Sequence, residues 1–343
     1  MIGYSDSSKD AGKICASWHQ YKAQEEIVKL GKKFDVNVTF FHGRGGSPGR
    51  GGGPIQATLR SQPPGSVNGK IRITDQGEVI QQKYGYEPIA EYNLCSYIGA
   101  VTEATLNPPP TPKQNWRSLI EKMSDISKSS YRKNINQSSE FIKYFKTVTP
   151  SAALGKLSIG SRPSKRKNVD NIKSLRAIPW VFAWTQIRLM LPAWLGSAEA
   201  LRYAYIKKFR RTLIDMEKNW PFFNSMLDIL DMVITKADPD ISKIYEKYLA
   251  DDALKKIGKK LRFQFEVIKK LNKKITTKEV ILTRKQFRTL ITVRAIYSEV
   301  LNIIQPIVIY KLKKNKIMSD KKYLNDALLT SIAGISAAMK NTG

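Results

Sequence analysis

The sequence MIGYSDSSKDAGKICASWHQYKAQEEIVKLGKKFDVNVTFF (residues 1–41) decides the fold, because two short apolar, β-branched runs flank one long helical pattern. The first run is MIGYS, the helical pattern begins near Ala11, and the second run is VNVTFF. Strand, helix and strand in this order indicate a βαβ unit, whose two strands are parallel. We therefore predict parallel strands at the start of the chain, and the alternation in GKIRITDQGEVI (residues 69–80) predicts one more.

The rest of the chain is predicted to be largely helical after a proline-rich connection. The segment NPPPTP (residues 107–112) fits neither a helix nor a central strand, because proline fixes φ and lacks the backbone N–H. From residue 113 onward apolar residues recur with the helical period, as in WRSLIEKMSDISKSSYRKNI. Residues 154–196 interrupt this pattern with a basic cluster followed by the apolar run AIPWVFAW. We predict a functional loop there, followed by a buried strand.

Length and composition indicate a packed globular protein of one large or two smaller domains. The chain has 343 residues, 42% of them hydrophobic, and six tryptophans, whereas a disordered chain could not bury enough apolar surface to offset its ordering entropy. Cys15 and Cys95 are the only cysteines, which gives no disulfide framework and no metal-binding spacing. The chain begins without an export signal and has no apolar run long enough to span a bilayer, so we expect a cytoplasmic protein with no membrane partner.

The net charge of +29 first suggests an anionic partner. Lysine and arginine number 58 against 29 acidic residues, and such an excess is found in nucleic-acid-binding proteins. The charge is spread over the C-terminal half, as in LKKIGKKLRFQFEVIKKLNKK (residues 254–274), rather than placed beside stacking aromatic residues. Charge runs on helices are usually solvated faces. We therefore favour a lysine-rich surface over a nucleic-acid interface.

The stretch FHGRGGSPGRGGGP (residues 41–54) is the first candidate for a binding site. It holds seven glycines, two arginines and one of the two histidines of the chain. Glycines allow backbone N–H groups to converge on an anion, and the guanidinium groups of Arg44 and Arg50 suit phosphate or carboxylate. The spacing matches neither a Walker loop nor a dinucleotide fingerprint. The stretch predicts an oxyanion-binding loop, and a flexible Gly/Ser linker is the alternative.

Two carboxylates follow the first predicted strand in GYSDSSKDAG. A carboxylate just past the carboxyl end of a parallel strand lies where barrel enzymes place metal ligands, which makes Asp6 a candidate. Aspartate is also a preferred helix cap. On the residues alone we slightly favour the alternative that Asp6 or Asp10 caps the helix that follows.

Further arginines lie in and after the second basic segment. IGSRPSKRK supplies Arg162, Lys165 and Arg166, and SLRAIPWVFAW supplies Arg176. An arginine that enters an apolar run is costly to bury unless it meets an anion. Arg176 is therefore either part of a structural ion pair or directed at a ligand, and the sequence leaves both open.

The two histidines have different contexts. His19 lies within a helical pattern, where a surface or packing role is the simpler interpretation. His42 stands beside the glycine-rich stretch and is the better candidate for a general acid or base.

The motifs GYSDSSKDAG, FHGRGGSPGRGGGP, SQPPGSVNGKIRITDQGEVI, IGSRPSKR, LRAIPWVFAWTQIRLMLPAWLG and the terminal KNTG together resemble the C-terminal portion of the phosphoenolpyruvate carboxylases of bacteria and plants. The resemblance runs through the whole chain and is densest in residues 1–110 and 150–196. It implies a lyase that joins phosphoenolpyruvate and bicarbonate into oxaloacetate and phosphate with Mg²⁺ or Mn²⁺, an anaplerotic carbon fixation that feeds the tricarboxylic acid cycle. Every species in that reaction is anionic, which suits a site of arginines, loop amides and a divalent metal.

The resemblance also implies roles for individual residues. Asp6 matches a metal ligand. The positions that match residues of the active site, where substrate groups are bound, are His42, Arg44, Arg162 and Arg176. The positions that match an allosteric site for the inhibitors aspartate or malate are Arg50, Lys236, Arg294 and Asn341.

The resemblance implies a fold and missing partners as well. It predicts the later half of a (β/α)₈ TIM-like barrel with the active-site loops in residues 1–196, and a helical region with the inhibitor site in residues 197–343. An N-terminal half would supply an essential histidine, a further arginine and a second metal carboxylate, so we expect this chain to be inactive alone. The complete enzyme would be a homotetramer. Half a barrel exposes strand edges, so we also expect the separate chain to be poorly stable or prone to aggregate.

Two other functions remain open on the sequence. One is a non-catalytic remnant that keeps only a site for acidic metabolites such as aspartate or malate. The other, which ranks last, is a basic nucleic-acid-binding protein, because the candidate arginines lie in substrate-type motifs while the excess charge lies elsewhere.

Overall fold

The computed structural model describes residues 1–43, 55–75, 77–135, 139–154, 175–206, 208–276, 285–314 and 317–339. Within these ranges the protein is mainly α, as the resemblance predicts. A small parallel sheet lies near the start of the chain, and helices follow it to the end.

Three short strands form the sheet in the order β1, β2, β3. They are β1 (Ile2–Gly3), β2 (Phe41–Gly43) and β3 (Arg72–Ile73). Both pairs are parallel, with Ile2 opposite His42 and His42 opposite Ile73. The prediction of parallel strands joined by a helical crossover is therefore confirmed.

The strands are shorter than the patterns that predicted them. Strand β2 begins at Phe41, the last residue of the run VNVTFF, because Val36 and its neighbours lie at the surface before the chain enters the sheet. Strand β3 ends at Ile73, and the second half of the predicted strand instead begins the helix α4 (Gly77–Tyr84).

Helices α1 (Ser5–Ala11) and α2 (Lys13–Lys33) connect β1 to β2. Gly12 separates them with φ of 79°, and a Cβ at this position would lie 3.2 Å from the Tyr131 side chain. Only glycine combines this left-handed backbone with such a close approach. Helix α3 (Ile55–Arg60) precedes β3.

Helix α5 (Glu87–Leu106) and helix α6 (Gln114–Ile135) lie on either side of the proline-rich segment. No helix or strand is assigned to residues 107–112, which confirms that NPPPTP is a connection.

Helices make up the rest of the described chain after residue 138. They are α7 (Ser139–Val148), α8 (Ala177–Gln186), α9 (Ser197–Ala204), α10 (Arg210–Asn219), α11 (Pro221–Lys236), α12 (Pro239–Leu249), α13 (Asp252–Ile275), α14 (Lys285–Lys314) and α15 (Met318–Met339). A 3₁₀ helix (Leu191–Ala193) follows α8.

The predicted buried strand after the basic loop is wrong, because AIPWVFAW forms helix α8. Trp180 and Trp184 lie one turn apart on it and pack against Phe141 and Phe145 of α7. A helix that is buried on nearly all sides carries no amphipathic period, so its sequence looks like that of a buried strand. Pro179 is tolerated because it lies in the first turn, where backbone N–H groups have no partner within the helix.

The main core unites the sheet crossover with the C-terminal helices. All six tryptophans are buried in it, as expected for a packed globular protein. Trp18 of α2 and Trp116 of α6 pack on Trp220, with ring centroids 5.9 and 5.7 Å apart. This packing holds α2 and α6 against the residue that leads into α11, and so fixes the helices around the candidate site. Among the described residues, no helix is long and apolar enough to cross a membrane.

Candidate functional site

The carboxyl ends of β1 and β2 bring two of the predicted residues to the same edge of the sheet. Asp6 lies in the first turn of α1, just after β1, and its side chain is exposed. His42 is the middle residue of β2. Parallel β/α proteins bind ligands at this edge of the sheet.

His42 is buried, with 2% of its surface exposed, and its Nδ1 lies 2.7 Å from the hydroxyl oxygen of Tyr4. Tyr4 is the residue between β1 and α1, so this bond ties the carboxyl end of one strand to the next. Sequence reasoning missed Tyr4, although the quoted motif GYSD contains it.

Arg176 lies close to the same edge because α1 contacts the residue before it. The Nζ of Lys9 donates to the carbonyl oxygen of Leu175 at 2.5 Å, and Arg176 is the next residue and the N-cap of α8. The hydroxyl of Tyr131 in turn donates to the carbonyl oxygen of Lys9 at 2.7 Å. These bonds place the start of α8 beside the helix that carries Asp6.

The surroundings of Arg176 bear on its two predicted roles. Its Nε is buried and has no hydrogen-bond partner among the described residues, and no ion pair involves Arg176 within those ranges. A buried guanidinium nitrogen is costly to leave without a partner, so this finding agrees with a ligand role for Arg176, which stays a prediction.

The alternative that Asp6 or Asp10 caps a helix is wrong. Neither the α1 nor the α2 N-cap position is filled by an aspartate, and neither receives a side-chain hydrogen bond. Asp10 instead forms an ion pair with Arg132, with 3.0 Å between Oδ2 and the guanidinium nitrogen.

Asp6 is the one metal ligand that the sequence predicts for this chain. No group of three or more His, Cys, Asp or Glu side chains that could hold a metal ion occurs in the described part of the chain. Asp6 fits a hard cation such as Mg²⁺, which commonly takes one or two carboxylates together with water and phosphate oxygens.

Lys236, one of the predicted inhibitor-binding residues, ends α11 and is 8% exposed. Its Nζ donates to the carbonyl oxygen of Met339 at 3.0 Å, two residues before Asn341. The side chain therefore ties α11 to the end of α15.

Four predicted site residues lie outside the described residues, namely Arg44, Arg50, Arg162 and Asn341.

Arg188 connects the region around Lys236 to Arg294, and sequence reasoning missed it. It is 3% exposed, its Nε donates to the carbonyl oxygen of Lys236 at 2.9 Å, and one terminal nitrogen donates to Ser298 Oγ at 3.2 Å. Ser298 lies one turn after Arg294, which is half-buried on α14. Burial lowers the pKa of Arg188 against the opposing effect of nearby carboxylates. The sequence could have indicated Arg188 in the same way as Arg176, because each is an arginine within an apolar run.

The lysine-rich helix α13 bears its charge on its exposed side. The exposed lysines are Lys256, Lys259, Lys260, Lys269, Lys270, Lys273 and Lys274. The opposite side buries Leu261, Phe265 and Ile268 in the core. This division agrees with a solvated charged face on an amphipathic helix.

Together these features define a mainly α protein whose parallel sheet gathers polar side chains at the carboxyl ends of its strands. Close by lies the buried Nε of Arg176, which has no hydrogen-bond partner in the described part of the chain. The family model of phosphoenolpyruvate carboxylase matches residues 1–343, and the chain belongs to this family. It is 45% identical over 344 residues to the phosphoenolpyruvate carboxylase of Marinomonas sp. (strain MWYL1) and 46% identical over 346 residues to that of Chromohalobacter salexigens. Each match covers 100% of this chain and 39% of the relative.

Proposed function

We propose that this chain is the part of a phosphoenolpyruvate carboxylase that carries the substrate-binding arginines, and that it works together with the remaining length of such an enzyme. Two findings support the proposal: the similarity over the whole chain, and the buried Nε of Arg176, which has no partner among the residues that the structure describes. The second finding carries it, because a guanidinium nitrogen left without a partner in a family of anion-converting enzymes calls for an anionic ligand.

In the proposed reaction bicarbonate attacks the phosphoryl group of phosphoenolpyruvate, and the enolate of pyruvate leaves. The carboxyphosphate formed in this step breaks down into carbon dioxide and inorganic phosphate, and the enolate captures the carbon dioxide to give oxaloacetate. Arg176, together with Arg162 and Arg44, stabilises the negative charge on the phosphoryl and carboxyphosphate oxygens. His42 lies beside this site and contributes a polar ring nitrogen.

Asp6 is the proposed metal ligand of this chain. A bound Mg²⁺ or Mn²⁺ would neutralise charge on the phosphate and enolate oxygens. The exposed position of Asp6 in the first turn of α1 leaves its carboxylate accessible for that purpose. A second carboxylate would come from the part of the enzyme outside this chain.

The proposed partner is that remaining part, and one surface of α5 suits it. Ala100 and Ala104 on one side of α5 are buried in a small cluster with Leu59 and Val67. The other side exposes large apolar residues, among them Tyr92 at 73% and Ile98 at 66%. A contiguous exposed apolar surface marks an interaction site. In the proposed enzyme the barrel would extend beyond this three-stranded sheet to a (β/α)₈ barrel, and this surface would be covered.

The proposed inhibitor site lies in the helical region of residues 197–343, and the substrate loops lie in residues 1–196. Lys236 and Arg294 would bind aspartate or malate together with Arg50 and Asn341. Arg188 bonds to the backbone of Lys236 and to Ser298, which lies one turn after Arg294 on α14. A homotetramer in the cytoplasm is the proposed setting of the complete enzyme.

The experiment joins this chain to the remaining length of the Marinomonas relative and measures oxaloacetate formed from phosphoenolpyruvate and labelled bicarbonate with Mg²⁺. Turnover in the chimaera and none in the chain alone would support the proposal. Aspartate binding by a folded chimaera without any carboxylation would instead favour the non-catalytic remnant. Loss of a nucleic-acid complex at moderate salt, with no carboxylation, would favour the basic binder.

A further inference from the structure

We infer that Gln186 is a positioning residue that couples the proposed inhibitor site to Arg176 through helix α8. A bound dicarboxylate changes the hydrogen bonds that hold Gln186, and α8 transmits this change to Arg176 at its other end. Gln186 touches neither ligand in this assignment. The inference rests on the proposed function, which supplies both the inhibitor and the anionic substrate.

Helix α8 connects the two sites. Its N-cap is Arg176 and its last residue is Gln186, so the helix between them is ten residues, or about 15 Å, long. The helix is buried on nearly all sides, and Trp180 and Trp184 pack against Phe145 of α7. A closely packed helix transmits strain rather than absorbing it. A displacement at Gln186 therefore reaches Arg176.

The side-chain amide of Gln186 is bonded to both α14 and α15. The residue is fully buried, and its Nε2 donates to the carbonyl oxygen of Ile332 at 3.2 Å and to Ser336 Oγ at 2.9 Å. Its Oε1 accepts from Gln305 Nε2 at 3.0 Å. Its backbone carbonyl oxygen accepts from Asn302 Nδ2 at 2.6 Å. A buried polar network with these partners holds the end of α8 in one position against both helices.

Helix α14 leads from this amide to Arg294. Ser298, Asn302 and Gln305 follow Arg294 at intervals of four, four and three residues, which places them on one side of the helix. All three are fully buried although they are polar, and the last two bond to the end of α8. A polar stripe of α14 thus runs from a proposed inhibitor-binding residue to Gln186.

Helix α15 leads from the same amide to Lys236. The Nζ of Lys236 donates to the carbonyl oxygen of Met339, and Ser336, which accepts from Gln186, lies one turn before Met339. An inhibitor carboxylate competes with that carbonyl for the Lys236 ammonium, because a bond between two charged groups is stronger than a bond to a neutral acceptor. The competition releases the last turn of α15 and so weakens the bonds at Gln186.

The first test is hydrogen–deuterium exchange of the chimaera with and without aspartate, measured by mass spectrometry. A ligand that binds the folded protein slows exchange that requires global unfolding, so most helices should exchange more slowly. The peptide of α8 that ends at Gln186 should instead exchange faster, while α10 follows the general slowing. Equal slowing of α8 and α10, or no effect of aspartate at all, would overturn the inference, whatever the variants do.

The second test measures the coupling by isothermal titration calorimetry. The Kd of aspartate is determined with and without phosphoenolpyruvate, in the absence of bicarbonate, and the two values should differ by about 5- to 150-fold in the unsubstituted chimaera. Gln186→Met keeps the length of the side chain without its amide and should bring this ratio close to 1. Ser336→Ala removes one acceptor and should lower the ratio partly. In both variants the Kd of aspartate without substrate should change little.

Ser242→Ala is the matched control, because it removes a buried serine hydroxyl that is not bonded to Gln186. The hydroxyls of Ser242 and Ser336 each donate to a backbone carbonyl oxygen one turn earlier, at 2.7 and 2.6 Å. The control should keep the full ratio.

A purely structural network would behave differently. It would lower the urea midpoint of Ser336→Ala and leave the ratio of Kd values unchanged, which would contradict the inference. Ser336→Ala and the exchange experiment decide the question if Gln186→Met does not fold. A chimaera that forms no oxaloacetate but still shows the aspartate-dependent exchange of α8 would reject the proposed function and leave the coupling standing.

Discussion

Lys9 and Leu175 are 166 positions apart in the sequence, and the ammonium of the first donates to the carbonyl oxygen of the second at 2.5 Å. This bond joins the helix after β1, which carries Asp6, to the N-cap of α8, which is Arg176. The proposed metal ligand and the proposed anion-binding arginine come from distant motifs, and this bond links the two helices that carry them. The Tyr131 hydroxyl, which donates to the carbonyl oxygen of Lys9, adds a second bond that holds α1 in place.

Arg176→Ala in the chimaera should lower kcat by about 10²–10³-fold, because removing one preorganised donor to a developing charge costs that much. Arg176→Lys should recover little, since lysine lacks the planar fork that binds two oxygens. Arg211→Ala, at an exposed arginine of α10, is the control and should keep full activity. Steady-state kinetics of carboxylation measure all three. Near-normal turnover in Arg176→Ala would remove this arginine from the site.

The sequence predicted the sheet and its helical crossover because both carry a period. MIGYS and VNVTFF alternate around a helical pattern, and the structure places them in parallel register. It did not predict α8, because a helix buried on nearly all sides has no polar face to reveal its period. It also missed Arg188, which forms its bonds to residues 48 and 110 positions away. Such partners are brought together only by tertiary packing.

Asp215 should make the protein more stable at neutral pH than in acid. The ammonium of Lys113 holds the pKa of the Asp215 carboxyl below its usual range, and bonds from Asn219 and Trp116 add to this effect against desolvation. A carboxyl with a lowered folded pKa stabilises the fold above its unfolded pKa of about 3.9, and this contribution is lost as the pH falls through the folded pKa.

The expected effect of Asp215→Asn is a lower urea midpoint at pH 7 and a smaller difference between pH 7 and pH 3. The loss should be about 0.2–1 kcal/mol, because the pair is largely solvated. Asp326→Asn, at an exposed position of α15, is the control. An equal loss at both pH values would show that the charge of Asp215 does not contribute.

Gly196→Ala should destabilise the fold through both backbone and packing. Gly196 has φ of 86°, and a Cβ there would lie 2.5 Å from the backbone oxygen of Ser127. The backbone of α6 cannot move away without disturbing the core around Tyr131. We expect a loss of at least about 1–3 kcal/mol in the free energy of unfolding. Gly99→Ala, where a Cβ meets nothing within 4 Å, is the matched control for urea unfolding and should be neutral or slightly stabilising.

Arg294→Ala should weaken aspartate binding by the chimaera while leaving carboxylation without inhibitor intact. A hydrogen bond to a charged group contributes about 1.5–3 kcal/mol, so the Kd should rise roughly 10- to 150-fold. Isothermal titration calorimetry measures the Kd, and Arg211→Ala again serves as the control. Unchanged affinity for aspartate would exclude Arg294 from the inhibitor site. A parallel loss of basal turnover would mean that the substitution disturbs the packing of α14, which carries Ser298, on Arg188 instead.

The exposed side of α5 should make the separate chain self-associate. Tyr92 and Ile98 present apolar surface to water at 73% and 66% exposure, on a helix whose other side is already packed. We expect light scattering of the chain alone to rise with concentration, and Ile98→Lys to reduce that rise because a charge opposes contact between apolar surfaces. Ile27→Lys, at an exposed residue of α2, controls for the added charge. In the chimaera the same substitution should be harmful instead. There Ile98→Lys would place a charge in a buried interface and lower the thermal stability. A chimaera that tolerates Ile98→Lys, together with a chain that stays monomeric at high concentration, would show that this side of α5 faces solvent in the complete enzyme.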